Sequence, residues 1–405
     1  MNPFKKSAQH QNTFLVSIGA GFNQLPLIDE ARKQRYHVIG VDRDSRAAGF
    51  IKCDIKIQES LENHHDIYLK LRELLIDGQI KAVLSRSFGI AVRTACYIAN
   101  QLRIPMMPFE RVDQCINKRA MKEAFARNGI VSPQYRIITP KTAAARLRKE
   151  PFPAIVKPVV GHAKTNVRRV NDAAALSEFL ASAPPDHEWI LEEFIDGEEI
   201  IAVGIVHKKR FHLVEVSDKV KTNPPHFVDI MHVAPSRHLD RRREICEIGQ
   251  RLAEAFDMYT TPLVMELIAV PGARLHLIEA VPEFGGEYLA DYLIPTHTGY
   301  NLFGETIRAI SDTGFTPPQF DRARGAVAVR YITGTPGTLA SFNPENPKGH
   351  RDTVYSRIFR EVGAQIKSPT SNHDRIGVVI TKGKTADEAV AAACRAEESF
   401  NLRII

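Results

Sequence analysis

The chain has 405 residues, 44% of them hydrophobic and 25% charged, with a formal net charge of +7; this is an ordinary globular composition, long enough for roughly two to four domains. No apolar run approaches the ~20 residues that span a bilayer, the opening MNPFKKSAQHQNT lacks the apolar core of a secretory signal, and five scattered cysteines give neither a disulfide framework nor paired metal spacing, so a reduced, cytoplasmic chain with no membrane partner is expected. The basic balance suits anionic small molecules such as nucleotides, while no aromatic-interleaved basic patch speaks for nucleic acid.

Residues 14–19, FLVSIG, read as a buried strand ending in Gly19-Ala20-Gly21. A helical pattern over 24–34 and the strand HVIGVD at 37–42 follow. Strand, glycine turn, helix, strand and acid outline a dinucleotide-binding unit, but Phe22-Asn23-Gln24 stand where the third glycine belongs. The partial motif speaks for a parallel α/β unit more than for NAD. The unit continues with a helix near 62–77, the strand KAVLS at 81–85, the polar loop Arg86-Ser87-Phe88-Gly89 and a helix over 90–102.

Residues 115–130 read as an amphipathic helix with Ala120, Met121, Ala124 and Phe125 on one stripe and Lys118 at its start. An edge-like strand at 131–138 and a helix at 141–150 follow. In PFPAIVKPVVGHAKTNVRRV, 151–170, a strand delivers Lys157 beside a small-residue polar loop. A lysine there can meet phosphates with loop N–H groups assisting; the alternative is a solvated strand end. A helix over 172–182, capped by Asn171 or Asp172, precedes strand, turn and strand over 188–210. The LEEFIDGEE segment mixes apolar residues suited to a purine with acids suited to ribose hydroxyls; the alternative is an acidic hairpin. After a strand at 211–220, residues 221–237 read as a long Pro-rich connection, with His226 and His232 structural or solvent-facing rather than a metal pair.

A basic helix over 238–257, with Arg241, Arg242 and Arg243 as a solvated face, leads to TPLVMELIAVPGARLHLIEAVPEFGGEY, 261–288. Two apolar runs flank Pro271-Gly272, so the segment reads as a hairpin. Each run carries one carboxylate, Glu266 and Glu279. Paired strands would point both to one face, where their oxygens suit Mg²⁺ shared with substrate phosphates; the alternative is two solvated charges. A helix over 299–311, a strand over 325–333, strands near 353–358 and 376–381 and a helix over 386–400 complete the chain.

In this order the features resemble the ATP-grasp superfamily, in its carboxylate–amine ligase branch with a carboxylase-like N-terminal domain. INKRAMKEAFARNGIVSP resembles the segment of the first phosphate lysine, Lys118, and FPAIVKPVVGHAKTNVRRV that of the second, Lys157. ILEEFIDGEEI resembles the hinge that receives adenine through backbone groups of Glu192, Glu193, Phe194 and Ile195, with Glu199 near the ribose. SDKVKTNPPHFVDIMHVAPS resembles a loop of the ligase branch, and RIGVVITKGKTADEAVAAA the closing domain of biotin-carboxylase-like members. The resemblance makes Glu266 and Glu279 the Mg²⁺ ligands. It departs where the hairpin usually ends in Glu-x-Asn-Pro-Arg: the asparagine is Val281 and the arginine is Glu283. Val281 cannot bind metal; Glu283 could supply an oxygen or bind an amine, and Arg330, His162 or Lys164 could replace the arginine.

The resemblance implies an α/β fold, α+β in its central part: a parallel α/β domain over 1–108, an ATP-grasp domain over 109–312 and a carboxylase-like region over 313–405. It implies ATP with Mg²⁺, or Mn²⁺ in its place, and small carboxylate and amine substrates. Two Mg²⁺ ions and two lysines would neutralise the β- and γ-phosphates, with Lys157, Glu283 and Arg330 as catalytic candidates. Members of this branch are often homodimers. The expected activity is an ADP-forming ligation through an acyl phosphate, with amino-acid-like molecules as the candidate substrates. The alternatives are an ATP-dependent carboxylase of a purine-type intermediate and a nucleotide binder with impaired catalysis.

Overall fold

The computed structural model describes residues 13–74, 79–141, 151–286, 288–319, 324–344 and 351–405. The helix expected at 141–150 lies, beyond Lys141, outside them. Near the N-terminus four strands form a parallel sheet in the order Ile55–Gln58, His37–Asp42, Phe14–Ile18, Ile80–Leu84. Phe14, Leu15, Val16 and Ile18 are fully buried, as continuous apolar runs of parallel strands require. The helices Leu25–Lys33 and Ile90–Gln101 bury one side each against this sheet. Gly19 closes the first strand at φ 95°, a conformation open to glycine.

The middle of the chain forms two antiparallel sheets. Four strands run in the order Tyr135–Ile138, Trp189–Glu193, Ala154–Pro158, Arg168–Val170. Eight strands then run His276–Val281, Thr260–Ala269, Glu198–His207, Arg210–Lys221, Asp229–Ala234, Ala326–Ile332, Gly377–Gly383, Thr353–Ile358. The last three cross the expected boundary at 312, so the C-terminal residues extend the central sheet. One apolar cluster joins Phe14, Val38 and Val83 of the parallel unit to Val203, Val264, Val329 and Ile380. Among the described residues no helix is long and apolar enough to cross a membrane.

The strand–turn–strand reading of 188–210 holds without its hairpin alternative, and one other reading changes. The strands either side of 194–197 do not pair as a hairpin; they belong to different sheets, and the turn is the junction between them. Gly197 is needed there because a Cβ would lie 2.6 Å from the Ala269 carbonyl oxygen. The Pro-rich stretch at 221–237 is also shorter as a loop than its prolines suggest. Asp229–Ala234 pairs with both Arg210–Lys221 and Ala326–Ile332, because its apolar and β-branched residues find partners on two sides.

Candidate active site

The strands Thr260–Ala269 and His276–Val281 place Glu266 and Glu279 as direct cross-strand partners. Opposed residues share a face of the pleat, and both line a cavity of about 710 Å³. Lys164 Nζ donates to Glu266 at 3.0 Å, Lys219 Nζ lies 3.0 Å from its other oxygen, and Lys118 Nζ sits 3.5 Å from Glu279. Burial disfavours the charge on Glu266, but Lys164 and Lys219 outweigh it and hold the carboxyl well below its ordinary range. Burial likewise opposes the charge on Lys164, yet Glu266, Asp229 and Glu199 hold its ammonium form.

Both expected phosphate lysines reach the cavity. Lys118 opens the helix Lys118–Arg127, whose start is capped by the Asn117 side chain accepting from Ala120 N–H, and its Nζ donates to the Gly161 carbonyl at 2.7 Å. Lys157 is buried and donates to Glu192 at 2.6 Å. Lys122, one turn beyond Lys118, reaches the other Glu192 oxygen at 3.1 Å and donates to Ser132 Oγ at 3.0 Å. Burial works against ionising Glu192, but Lys122 and Lys157 overcome it and draw its carboxyl down to about 2. Burial lowers Lys122 to about 8. Glu192 is therefore more than a stretch of hinge backbone: its side chain fixes Lys157.

Glu193, Phe194 and Ile195 line one end of the cavity. The Phe194 ring stacks on Phe227 with centroids 6.4 Å apart, an apolar platform at the sheet junction. Glu199 also lines the cavity and accepts from Lys221 Nζ at 2.5 Å. His162 and Lys164 lie on the loop after Lys157. Burial, then His373 and Lys118, lowers the His162 pKa, favouring the neutral ring. Glu283 and Val281 line the cavity beside the carboxylate pair.

Arg330 is a correction. Its guanidinium bonds Glu397 on the helix Ala386–Glu398, while the next residue, Tyr331, lines the cavity. Strand alternation thus turns Arg330 to the opposite face. The arginines that reach the cavity are Arg86, Arg357 and Arg375. Sequence reading gave none of these a role, and it also missed Lys122, Lys219 and Asp229. Lys122 carried one usable signal, its i,i+4 spacing from Lys118 on one helix. The others come from distant strands and loops.

Residues 150–291 match an ATP-grasp domain, and residues 330–404 match the L-amino acid ligase C-terminal domain 2. The chain is 25% identical over 352 residues to an uncharacterised protein of Sinorhizobium fredii, covering 79% of this chain and 70% of that one. An L-amino acid ligase structure from Bacillus licheniformis superposes with a TM-score of 0.81 at 21% identity, covering 98% of this chain and 99% of that one. An N5-carboxyaminoimidazole ribonucleotide synthetase structure from Thermotoga maritima superposes at 0.71 and 18% identity, covering 97% and 99%. The chain thus shares its fold with these two structures, and carries an ATP-grasp domain followed by a domain matching the L-amino acid ligase C-terminal domain 2.

Proposed function

We propose that the protein is an ADP-forming carboxylate–amine ligase that joins amino-acid-like substrates through an acyl phosphate. The observation that carries the reading is the facing pair Glu266 and Glu279 in one cavity with Lys118 and Lys157. The donor set fits Mg²⁺, or Mn²⁺: two hard carboxylates leave positions for phosphate oxygens and water. Among the described residues no cluster of three or more His, Cys, Asp or Glu stands ready for a metal, so the nucleotide itself would complete the ligand set. When bound, Mg²⁺ supplies neutralisation of the phosphate charge.

The residues divide the remaining work. Glu193, Phe194 and Ile195 receive the base and Glu199 the ribose. Lys118 and Lys157 hold the phosphate oxygens, and Glu192 keeps Lys157 in place. A substrate carboxylate oxygen attacks the γ-phosphorus and ADP leaves. The amine then attacks the acyl carbon, the C–N bond forms, the C–O bond to phosphate breaks, and the amine's proton passes to the departing phosphate. Glu283, which lines the same cavity, is the carboxylate that would hold that amine. Because two anions must meet, positioning and charge neutralisation supply most of the acceleration.

The test is a phosphate-release screen of the purified protein with Mg·ATP across amino acids and dipeptides, with mass spectrometry of the products. ADP, phosphate and a condensed product are expected. Absence of nucleotide binding, with no release from any acid–amine mixture, would overturn the reading. The likeness to the carboxyaminoimidazole synthetase favours a second reading, an ATP-dependent carboxylase; bicarbonate-dependent ADP release with an aminoimidazole ribonucleotide would select it. The ligase reading also carries a cytoplasmic location and a homodimeric assembly, checked by cell fractionation and by mass in solution.

A further inference from the structure

The cavity also carries an open aromatic lining. Phe22, Phe88 and Phe359, the three exposed phenylalanines among the described residues, all line it. The Phe359 ring lies parallel to that of Tyr288, with centroids 6.5 Å apart. Tyr288 holds φ 65°, a left-handed backbone that a bulky residue adopts rarely and mostly where a site demands it. Apolar rings left open in a deep cavity are surface that a ligand can cover.

The charges here are not all matched. Arg86 is neutralised by Asp291 through two hydrogen bonds of 2.9 and 2.5 Å. Arg375 donates to the Asp229 carbonyl at 2.9 Å and lies 3.7 Å from the Asp229 carboxylate. Arg357, on the strand Thr353–Ile358, has its guanidinium over the Phe22 ring at 4.0 Å and no carboxylate partner among the described residues. A guanidinium stacked on a ring keeps its in-plane N–H fork free for a carboxylate.

We infer that Arg357 and this aromatic wall form the subsite for the amine substrate, and that this substrate bears its own carboxylate and a large apolar side chain, as an aromatic or branched α-amino acid does. The inference rests on the ligase reading and deepens it. Arg357 takes the non-reacting carboxylate, Phe22, Phe359 and Tyr288 cover the side chain, and the amino group is left to attack the acyl carbon. An arginine from a C-terminal strand thereby does the anchoring that Glu283 cannot do on the hairpin.

The test is calorimetric titration of protein saturated with Mg·AMP-PNP, using L-phenylalanine, phenethylamine and glycine as probes. Phenethylamine keeps the ring and amine without the carboxylate; glycine keeps the carboxylate without the ring. L-Phenylalanine is expected to bind roughly tenfold to a hundredfold tighter than either, the range for one charge-assisted anchor or one buried ring. Arg357→Gln should erase its advantage over phenethylamine while nucleotide affinity stays unchanged, and Arg357→Lys should keep part of it. The inference is overturned if L-phenylalanine binds no better than the other probes, or if Arg357→Gln binds it as wild type does. Failure to bind Mg·AMP-PNP would instead bring down the ligase reading and this inference with it.

Discussion

At position 281 an isopropyl group faces the cavity beside two carboxylates, and it offers no oxygen. An amide there would add a third protein ligand. Val281→Asn is therefore expected to tighten Mg²⁺-dependent ADP binding by roughly tenfold, the size of one favourable polar contact, measured by titrating Mg²⁺ at fixed ADP. Unchanged Mg²⁺ dependence would place the metal elsewhere. Glu279→Gln should act the other way, weakening Mg·ADP more than metal-free ADP, because it removes a charge from the ligand set. Glu266 and Glu279 were legible as a pair because one turn, Pro271-Gly272, joins their strands, whereas the register shift beside Glu266 that sets them opposite each other left no mark in the sequence. The lysines that grip Glu266 were not, since Lys164 and Lys219 lie far from it in the chain and meet it only in three dimensions.

At the scale of elements, the strand Trp189–Glu193 is the chain's hidden anchor. Its Glu192 carboxylate ties the strand Ala154–Pro158 to the helix Lys118–Arg127 through Lys157 and Lys122. Glu192→Gln leaves two buried ammonium groups without their anion and should cost about 3–5 kcal/mol, read by urea denaturation; a loss near zero would show the trio is dispensable. The pH dependence has a definite sign. Glu192 is held at about 2, below its ordinary 4.5, so its contribution is fully present above the unfolded value and is lost as pH falls through about 2. Wild type should therefore lose stability in acid more steeply than Glu192→Gln. Of the helix stripe Ala120, Met121, Ala124 and Phe125, the last three are buried in the packing of Lys118–Arg127 and Ala120 is half-buried. The sheet junction at 194–197 escaped because a turn between two strand patterns looks the same whether the strands pair or part.

Over the whole molecule, the cavity is assembled from loops of the parallel unit, the four-stranded sheet with the loop after Lys157, the acidic hairpin and the last strands of the central sheet. Periodicity revealed each of these parts, but not that the C-terminal strands join the central sheet, because long-range pairing leaves no local mark. The buried Arg86–Asp291 pair fastens the parallel unit to the segment after the hairpin. Asp291→Ala should destabilise the fold by about 3 kcal/mol or more and raise amide exchange in residues 13–74; exchange unchanged there would mean that the apolar cluster alone holds the units together.

The ligase mechanism depends on where a nucleotide's phosphates lie. A crystal structure with Mg·AMP-PNP should place a metal about 2.0–2.1 Å from an oxygen of both Glu266 and Glu279, with Lys118 and Lys157 on the phosphate oxygens. A nucleotide bound elsewhere, with those acids still paired only to Lys164, Lys219 and Lys118, would contradict it.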